Sequence, residues 1–180
     1  MAADLVIKGG WVVTPDATFK GGVAISNEVI VAIGSDDALP SGKEEIDVKG
    51  KHILPGLFDG HVHFREPGMT HKEDFNTGST AAVCGGITTV VDMPNTVPPT
   101  ADAEQVKVKK ELGEARSLVD FGITGVVVQT NTKDILPMAA AGVIGYKIFF
   151  GETIGNLPFR SCPWASMRKT ARSWRTAPTS

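Results

Sequence analysis

Four short apolar runs, each breaking off in polar residues and each separated from the next by a helix-like stretch, constrain most of this chain. "LFDGHVHF", "ITTVVDMP", "VDFGITGVVVQ" and "VIGYKIFF" are dense in Val, Ile and Phe, sit among Gly and Pro, and are too short for helices. Between them lie "EDFNTGSTAAVC", "ADAEQVKVKKELGEARS" and "NTKDILPMAAAG". Strands that alternate with helices return parallel, because the crossover helix carries the chain back to the starting edge. The expected architecture is α/β, about the first four β/α units of a (β/α)8 barrel over residues 55–159. Thr70-His71-Lys72-Glu73 has the spacing of a capping box and predicts the start of the first helix, which Gly85-Gly86 stops. Asn131 is the expected cap of the third.

Residues 1–54 have a different rhythm. "DLVIKGGWVV" and "GGVAISNEVIVAIG" alternate roughly in period two and read as short antiparallel strands, with "EEIDVKGKHILPG" as a further one, making a small β module. Residues 160–180 differ again: Arg160, Arg168, Lys169, Arg172 and Arg175 stand there without a single acid, together with Trp164 and Trp174. This segment has no helical or strand period and is expected to lie outside the fold.

A net charge of -2 gives no electrostatic basis for binding nucleic acid. No apolar run approaches membrane-spanning length and the first residues lack the apolar centre of a signal peptide, so a cytoplasmic protein is expected. Cys84 and Cys162 are too few and too far apart for a disulfide framework and read as free thiols.

In a (β/α)8 barrel the functional groups stand at the carboxyl ends of the strands, where the loops line one mouth. The polar residues follow that rule: His61 and His63 end the first strand, Asp92 and Asn95 the second, Gln129 and Asn131 the third, Lys147 the fourth. Residues i and i+2 of a strand point the same way, so His61 and His63 can offer two imidazoles to one metal ion. The alternative is a chance H-x-H in which one of the pair is hydrogen-bonded in the core. Lys147 lies in an apolar strand, where the neutral amine is favoured and can take up carbon dioxide as a carbamate; the alternative is a side chain that snorkels to water. Arg65 suits a carboxylate and Asn95 an amide, against a surface ion pair with Glu66 or Glu73 for the first and a turn role after Pro94 for the second. His52 and His71 are read as structural.

The ordered elements D-x-H-x-H, R-E-P-G, G-G-I-T-T and M-P-N-T in "PGLFDGHVHFREPGMTHKEDFNTGSTAAVCGGITTVVDMPNTVPPT" resemble the opening of the cyclic amidohydrolases, the family of dihydroorotase, allantoinase and hydantoinase. The resemblance runs from about residue 4 to about 158. It implies two Zn2+ ions, with His61 and His63 on the more buried one and carbamylated Lys147 bridging both. It also implies a small-molecule cyclic amide substrate as partner, whose ring amide carbonyl a hydroxide held between the metals would attack. The H-F-R-E-P-G form resembles dihydroorotases most, with Arg65 and Asn95 on the substrate carboxylate and a place in pyrimidine biosynthesis, while "KIFFGETIGNL" departs from that pattern and keeps allantoinase and hydantoinase open. The family adds two further histidines and an aspartate as general base, and its full-length members are compatible with homo-oligomers. After Lys147 this chain has no histidine and no aspartate, so no catalytic base is assigned. A non-catalytic fragment is the other reading, and the chain by itself is expected to lack turnover.

Overall fold

The computed structural model of the chain describes residues 2–149 and residue 157, so the expectation for residues 160–180 lies outside the described residues. The chain divides into two compact units, Met1–Pro55 and Gly56–Ser180. In the first, β1 (Ala3–Val13) pairs antiparallel with β2 (Thr18–Ser26), which pairs antiparallel with β3 (Val29–Gly34). β4 (Gly42–Asp47) and β5 (His52–Ile53) run parallel to β1 along its other edge. The run "EEIDVKGKHILPG" is thus two strands rather than one, because the Lys51 N–H turns back to the Val48 carbonyl at 2.9 Å and breaks the ladder between them. Ala3, Val6 and Ala24 form the small core of this sheet.

The second unit alternates strictly: β6 (Leu57–Val62), α1 (Phe75–Cys84), β7 (Ile87–Asp92), α2 (Ala103–Arg116), β8 (Asp120–Val126), α3 (Ile135–Ala141) and β9 (Gly145–Lys147). Its strands lie in the order β6-β7-β8-β9 and every neighbouring pair is parallel. A doubly wound sheet reverses its order at a switch point, whereas strands laid down in sequence are those of a barrel. The fold is therefore part of a (β/α)8 barrel, as the alternation of runs predicts.

Local sequence explains the helices. Phe75, Gly78, Ser79 and Ala82 are the buried positions of α1, a stripe at i, i+3, i+4 and i+7. The cap of α1 is Asp74, not Thr70: its carboxylate accepts from Thr77 N at 2.7 Å, and the Thr77 hydroxyl answers the Asp74 N–H at 3.2 Å. Met69 to Lys72 form a turn closed by Lys72 N to Met69 O at 2.9 Å, which removes the Thr70 spacing from helical geometry. Glu66, which is 4% exposed, also serves this helix end by accepting the Phe75 N–H at 3.0 Å while pairing with Arg116. Gly85 ends α1 as expected, with Gly86 in the left-handed region. Asn131 supplies no side-chain cap to the turn that precedes α3.

Phe64, Phe75, Ala82 and Val90 form the core between sheet and helices, joined by Val62, Leu112 and Phe121. Phe75 meets Phe64 and Phe121 edge-on at 5.5 Å each. Two glycines allow this packing. A Cβ on Gly78 falls 2.4 Å from the Phe64 ring, and one on Gly113 falls 2.4 Å from the Phe121 ring. Alanine is the better helix former by about 1 kcal/mol, but here it meets a buried ring. We expect Gly78→Ala and Gly113→Ala each to destabilise by about 1–3 kcal/mol in urea titrations, the range of an overpacked core. A stabilised variant would contradict this packing.

Candidate functional site

Helices cover one face of the parallel sheet, and alternation assigns the other face. Val62, Phe64, Val90 and Phe121 pack toward α1 and α2, so His63, between Val62 and Phe64, turns to the opposite side; β6 shifts register between Asp59 and Val62, and His61 is placed there by its ring contact with His63. Their rings confirm a common direction, with centroids 5.3 Å apart and planes inclined by 53°. On β9, Tyr146 donates its hydroxyl to the Ile135 carbonyl at the start of α3 and so faces the helices. Lys147, its neighbour, therefore lies on the histidine face, in register with Val126 of β8. Its Nζ sits 5.7 Å from the centroid of Phe149.

His63 is partly buried, and this burial holds its pKa below the ordinary value of 6.5, with the charges of Arg65 and His61 acting the same way. Asp92 and the Asn95 side chain oppose the shift without reversing it. A neutral imidazole keeps a lone pair free for a metal. The donor chemistry thus fits a zinc-type ion with two imidazoles. Among the described residues no group of three or more His, Cys, Asp or Glu could hold such an ion, so a complete set requires donors of another kind or beyond these residues.

The loops after β6 and β7 are fastened to each other. Val97 N donates to Pro67 O at 3.1 Å. Gly68, at φ +88°, lies so close that a Cβ would fall 2.0 Å from the Val97 carbonyl oxygen, so glycine is required there. Arg65 is held at φ +62°, a conformation rare for a side-chain-bearing residue, and its carbonyl accepts Met69 N at 3.0 Å. On the far side Thr100 O accepts Val126 N at 2.8 Å, which fixes the second loop to β8.

Among the described residues three buried side-chain atoms lack a hydrogen bond of regular geometry: Asp92 Oδ2, which is ion-paired with Lys109, and Arg65 Nη1 and Asn95 Oδ1 beside these loops, although the Asn95 side chain is near enough to His63 to act on its pKa. Neither acid considered for Arg65 takes it: Glu66 pairs with Arg116 and Glu73 accepts the Thr77 hydroxyl. Asn95 is 4% exposed. The Arg65 atom is a donor and the Asn95 atom an acceptor.

Two residues at the strand ends have a different task from the one the sequence implies. Asp92 does not face the mouth; it turns to the helix layer, where its Oδ2 lies 2.5 Å from Lys109 Nζ, both side chains fully buried. Asn131 is consumed by backbone, accepting Val128 N at 2.8 Å and donating to the Ala101 and Val126 carbonyls at 2.8 and 2.9 Å. Gln129 is exposed. Lys109 was missed because it reads as one more polar residue of the charged α2; its position four residues before Gly113 and three after Val106, on the buried stripe, is the available signal.

Comparison with known proteins shows the family and the fold. Residues 50–172 match the family described as dihydro-orotase-like. An allantoinase from Deinococcus radiodurans is 38% identical over 154 residues, 85% of this chain and 34% of that protein. A dihydroorotase from Methanosarcina mazei is 46% identical over 136 residues, 75% of this chain and 30% of that protein. Among solved structures, the L-hydantoinase (dihydropyrimidinase) from Arthrobacter aurescens superposes with a TM-score of 0.81 at 29% identity, covering 86% of this chain and 35% of its own. The chain belongs to the cyclic amidohydrolases, in the dihydroorotase-like family, and spans about a third of the length of the relatives it matches. No helix among the described residues is long and apolar enough to cross a membrane.

The lowered pKa of His63 has a measurable sign. Below pH 6.5 the unfolded chain takes up a proton at this position while the folded chain stays neutral, so stability declines as pH falls through 6.5 and levels off below the folded pKa. Urea midpoints in EDTA from pH 5 to 8 should show that decline, and it should be smaller in His63→Gln. An equal decline in both proteins would contradict the burial of the imidazole.

Proposed function

We propose that this chain carries part of the active site of a metal-dependent hydrolase of cyclic amide C–N bonds, dihydroorotase-like in its substrate contacts. The observation that carries the reading is the pair of buried atoms, Arg65 Nη1 and Asn95 Oδ1, that lack a regular hydrogen bond among the described residues. Arg65 calls for an acceptor and Asn95 for a donor. A ring bearing both a carboxylate and an amide N–H supplies the two together, and dihydroorotate is such a ring. Allantoin and hydantoins offer the N–H but no ring carboxylate, which ranks them second.

His61 and His63 are the proposed donors to the more buried of two zinc ions, and Lys147, as a carbamate, the proposed bridge. When bound, the metal supplies an acidified water and polarises the scissile carbonyl. The residues of this chain contribute the rest: Arg65 anchors the carboxylate, Asn95 orients the ring through its N–H, and the fastened loops keep both side chains at their stations. The general base is assigned to no residue here, because the chain has neither histidine nor aspartate beyond Lys147. Binding, rather than turnover, is therefore the property to measure, and no turnover is expected from the 180-residue chain.

Equilibrium dialysis with Zn2+ followed by dihydroorotate titration tests the reading. Zinc binding should weaken at least about tenfold in His61→Ala, as expected for loss of one of few donors. Dihydroorotate affinity should fall about 10–100-fold in Arg65→Ala, which corresponds to a charged hydrogen bond of roughly 1.5–3 kcal/mol. Zinc binding indifferent to His61, or equal affinity for dihydroorotate in the Arg65 variant, would sink it.

A further inference from the structure

The buried pair of Asp92 and Lys109 is spent on backbone, and the backbone it holds is that of the mouth. Asp92 Oδ1 accepts the N–H of Phe64, the residue directly after His63, at 2.9 Å in a buried setting. Lys109 Nζ, besides its contact with Asp92 Oδ2 at 2.5 Å, donates to the carbonyl of Met93 at 2.8 Å, two residues before Asn95. Met93 N in turn donates to Val62 O at 2.9 Å, on the other flank of His63. Val62 and Asp92 stand in register, so these bonds form one knot across the carboxyl ends of β6 and β7.

An ordinary helix–sheet contact needs no such pair. Phe64, Phe75, Val90 and Val106 are buried apolar residues of the same unit, and two apolar side chains would fill the place of the pair without the desolvation cost of two charges. What apolar side chains cannot do is accept the Phe64 N–H and donate to the Met93 carbonyl. The His63 loop begins where β6 ends, past its last ladder pair at Val62, so beyond that point the strand ladder no longer fixes the direction of the imidazole.

We propose that Asp92 and Lys109 are positioning residues for the mouth: Asp92 tethers the backbone that aims His63, and Lys109 tethers the backbone that leads to Asn95. The inference rests on the reading of the mouth as a metal and carboxylate site, and it assigns to the helix layer a function in setting donor geometry. The two tethers are separable. Asp92→Asn with Lys109→Met removes both charges and the bond to Met93 but keeps a carbonyl oxygen for the Phe64 N–H. Asp92→Leu with Lys109→Met removes both tethers and leaves an apolar filling.

The experiment uses the full 180-residue chain and Zn2+ alone as probe, with urea midpoints and amide hydrogen exchange at Phe64 alongside. D92N/K109M should bind Zn2+ within about threefold of the parent and keep Phe64 protected. D92L/K109M should bind Zn2+ about 10–100-fold more weakly, the usual effect of losing a group that orients a metal ligand, and Phe64 should exchange faster than its neighbours. A purely structural pair predicts instead that affinity of the folded fraction stays the same in both variants, and that result overturns the inference. Should D92L/K109M fail to fold, D92N/K109M still decides: a tenfold loss of zinc affinity with Phe64 still protected overturns the tether. The His61→Ala control keeps the two ideas apart. Parent zinc binding that ignores His61 refutes the reading of the mouth, whereas His61-dependent binding unchanged in D92L/K109M refutes the positioning role.

Discussion

A parallel strand sends alternate side chains to opposite faces, and in the second unit the helices occupy one of them. Everything else about the mouth depends on this constraint. Once Phe64, Val90 and Phe121 are committed to the helix layer, the residues between them have only the inner side available. His63 then turns inward with the His61 ring beside it, centroids 5.3 Å apart, and Tyr146 bound to α3 sends Lys147 to the face away from the helices. The glycines under Phe64 and Phe121 serve the same division, since they let α1 and α2 come close enough for the rings to remain on the helix side.

The loops then convert a shared direction into a site. Pro67 and Val97 join across the gap between the first two strands, and Thr100 extends the connection to β8. Arg65 accepts a left-handed backbone as part of that closure. Strained backbone of this kind is concentrated at ligand sites in proteins generally, where surrounding contacts over-determine it. Here the result is a buried guanidinium nitrogen and a buried amide oxygen without a regular hydrogen bond among the described residues, which is costly unless a ligand completes them.

The sequence made the elements readable and left the tertiary hydrogen bonds hidden. Runs of Val, Ile and Phe set off by Gly and Pro are local signals, so the four strands, the three helices and the i, i+2 histidines could be found from them. The cap of α1 went to Asp74 because a turn at Met69–Lys72 intervenes, and Thr70 with Glu73 matches the same pattern by coincidence. Asp92 was misread as a mouth residue because a carboxylate at a strand end looks functional, while its direction depends on Lys109, seventeen residues on in a helix rich in other lysines. Asn131 was misread for a related reason: the carbonyls it serves belong to Ala101 and Val126, in separate segments. Long-range polar pairing has no period, and pattern reading finds only what is periodic or adjacent.

The order of the strands also sets a timetable. Because β6, β7, β8 and β9 lie side by side in the order of the chain, each new strand finds its neighbour already made, and the sheet can grow by addition as the polypeptide leaves the ribosome. At about 5–20 residues per second, Lys147 follows His63 by roughly 4 to 17 seconds, far longer than a helix or a hairpin needs to form. During that interval the two histidines face an open edge. Of these four strands β9 is the last to arrive, so the lysine joins a face on which the histidines have already waited, and the mouth is assembled in the order of the chain.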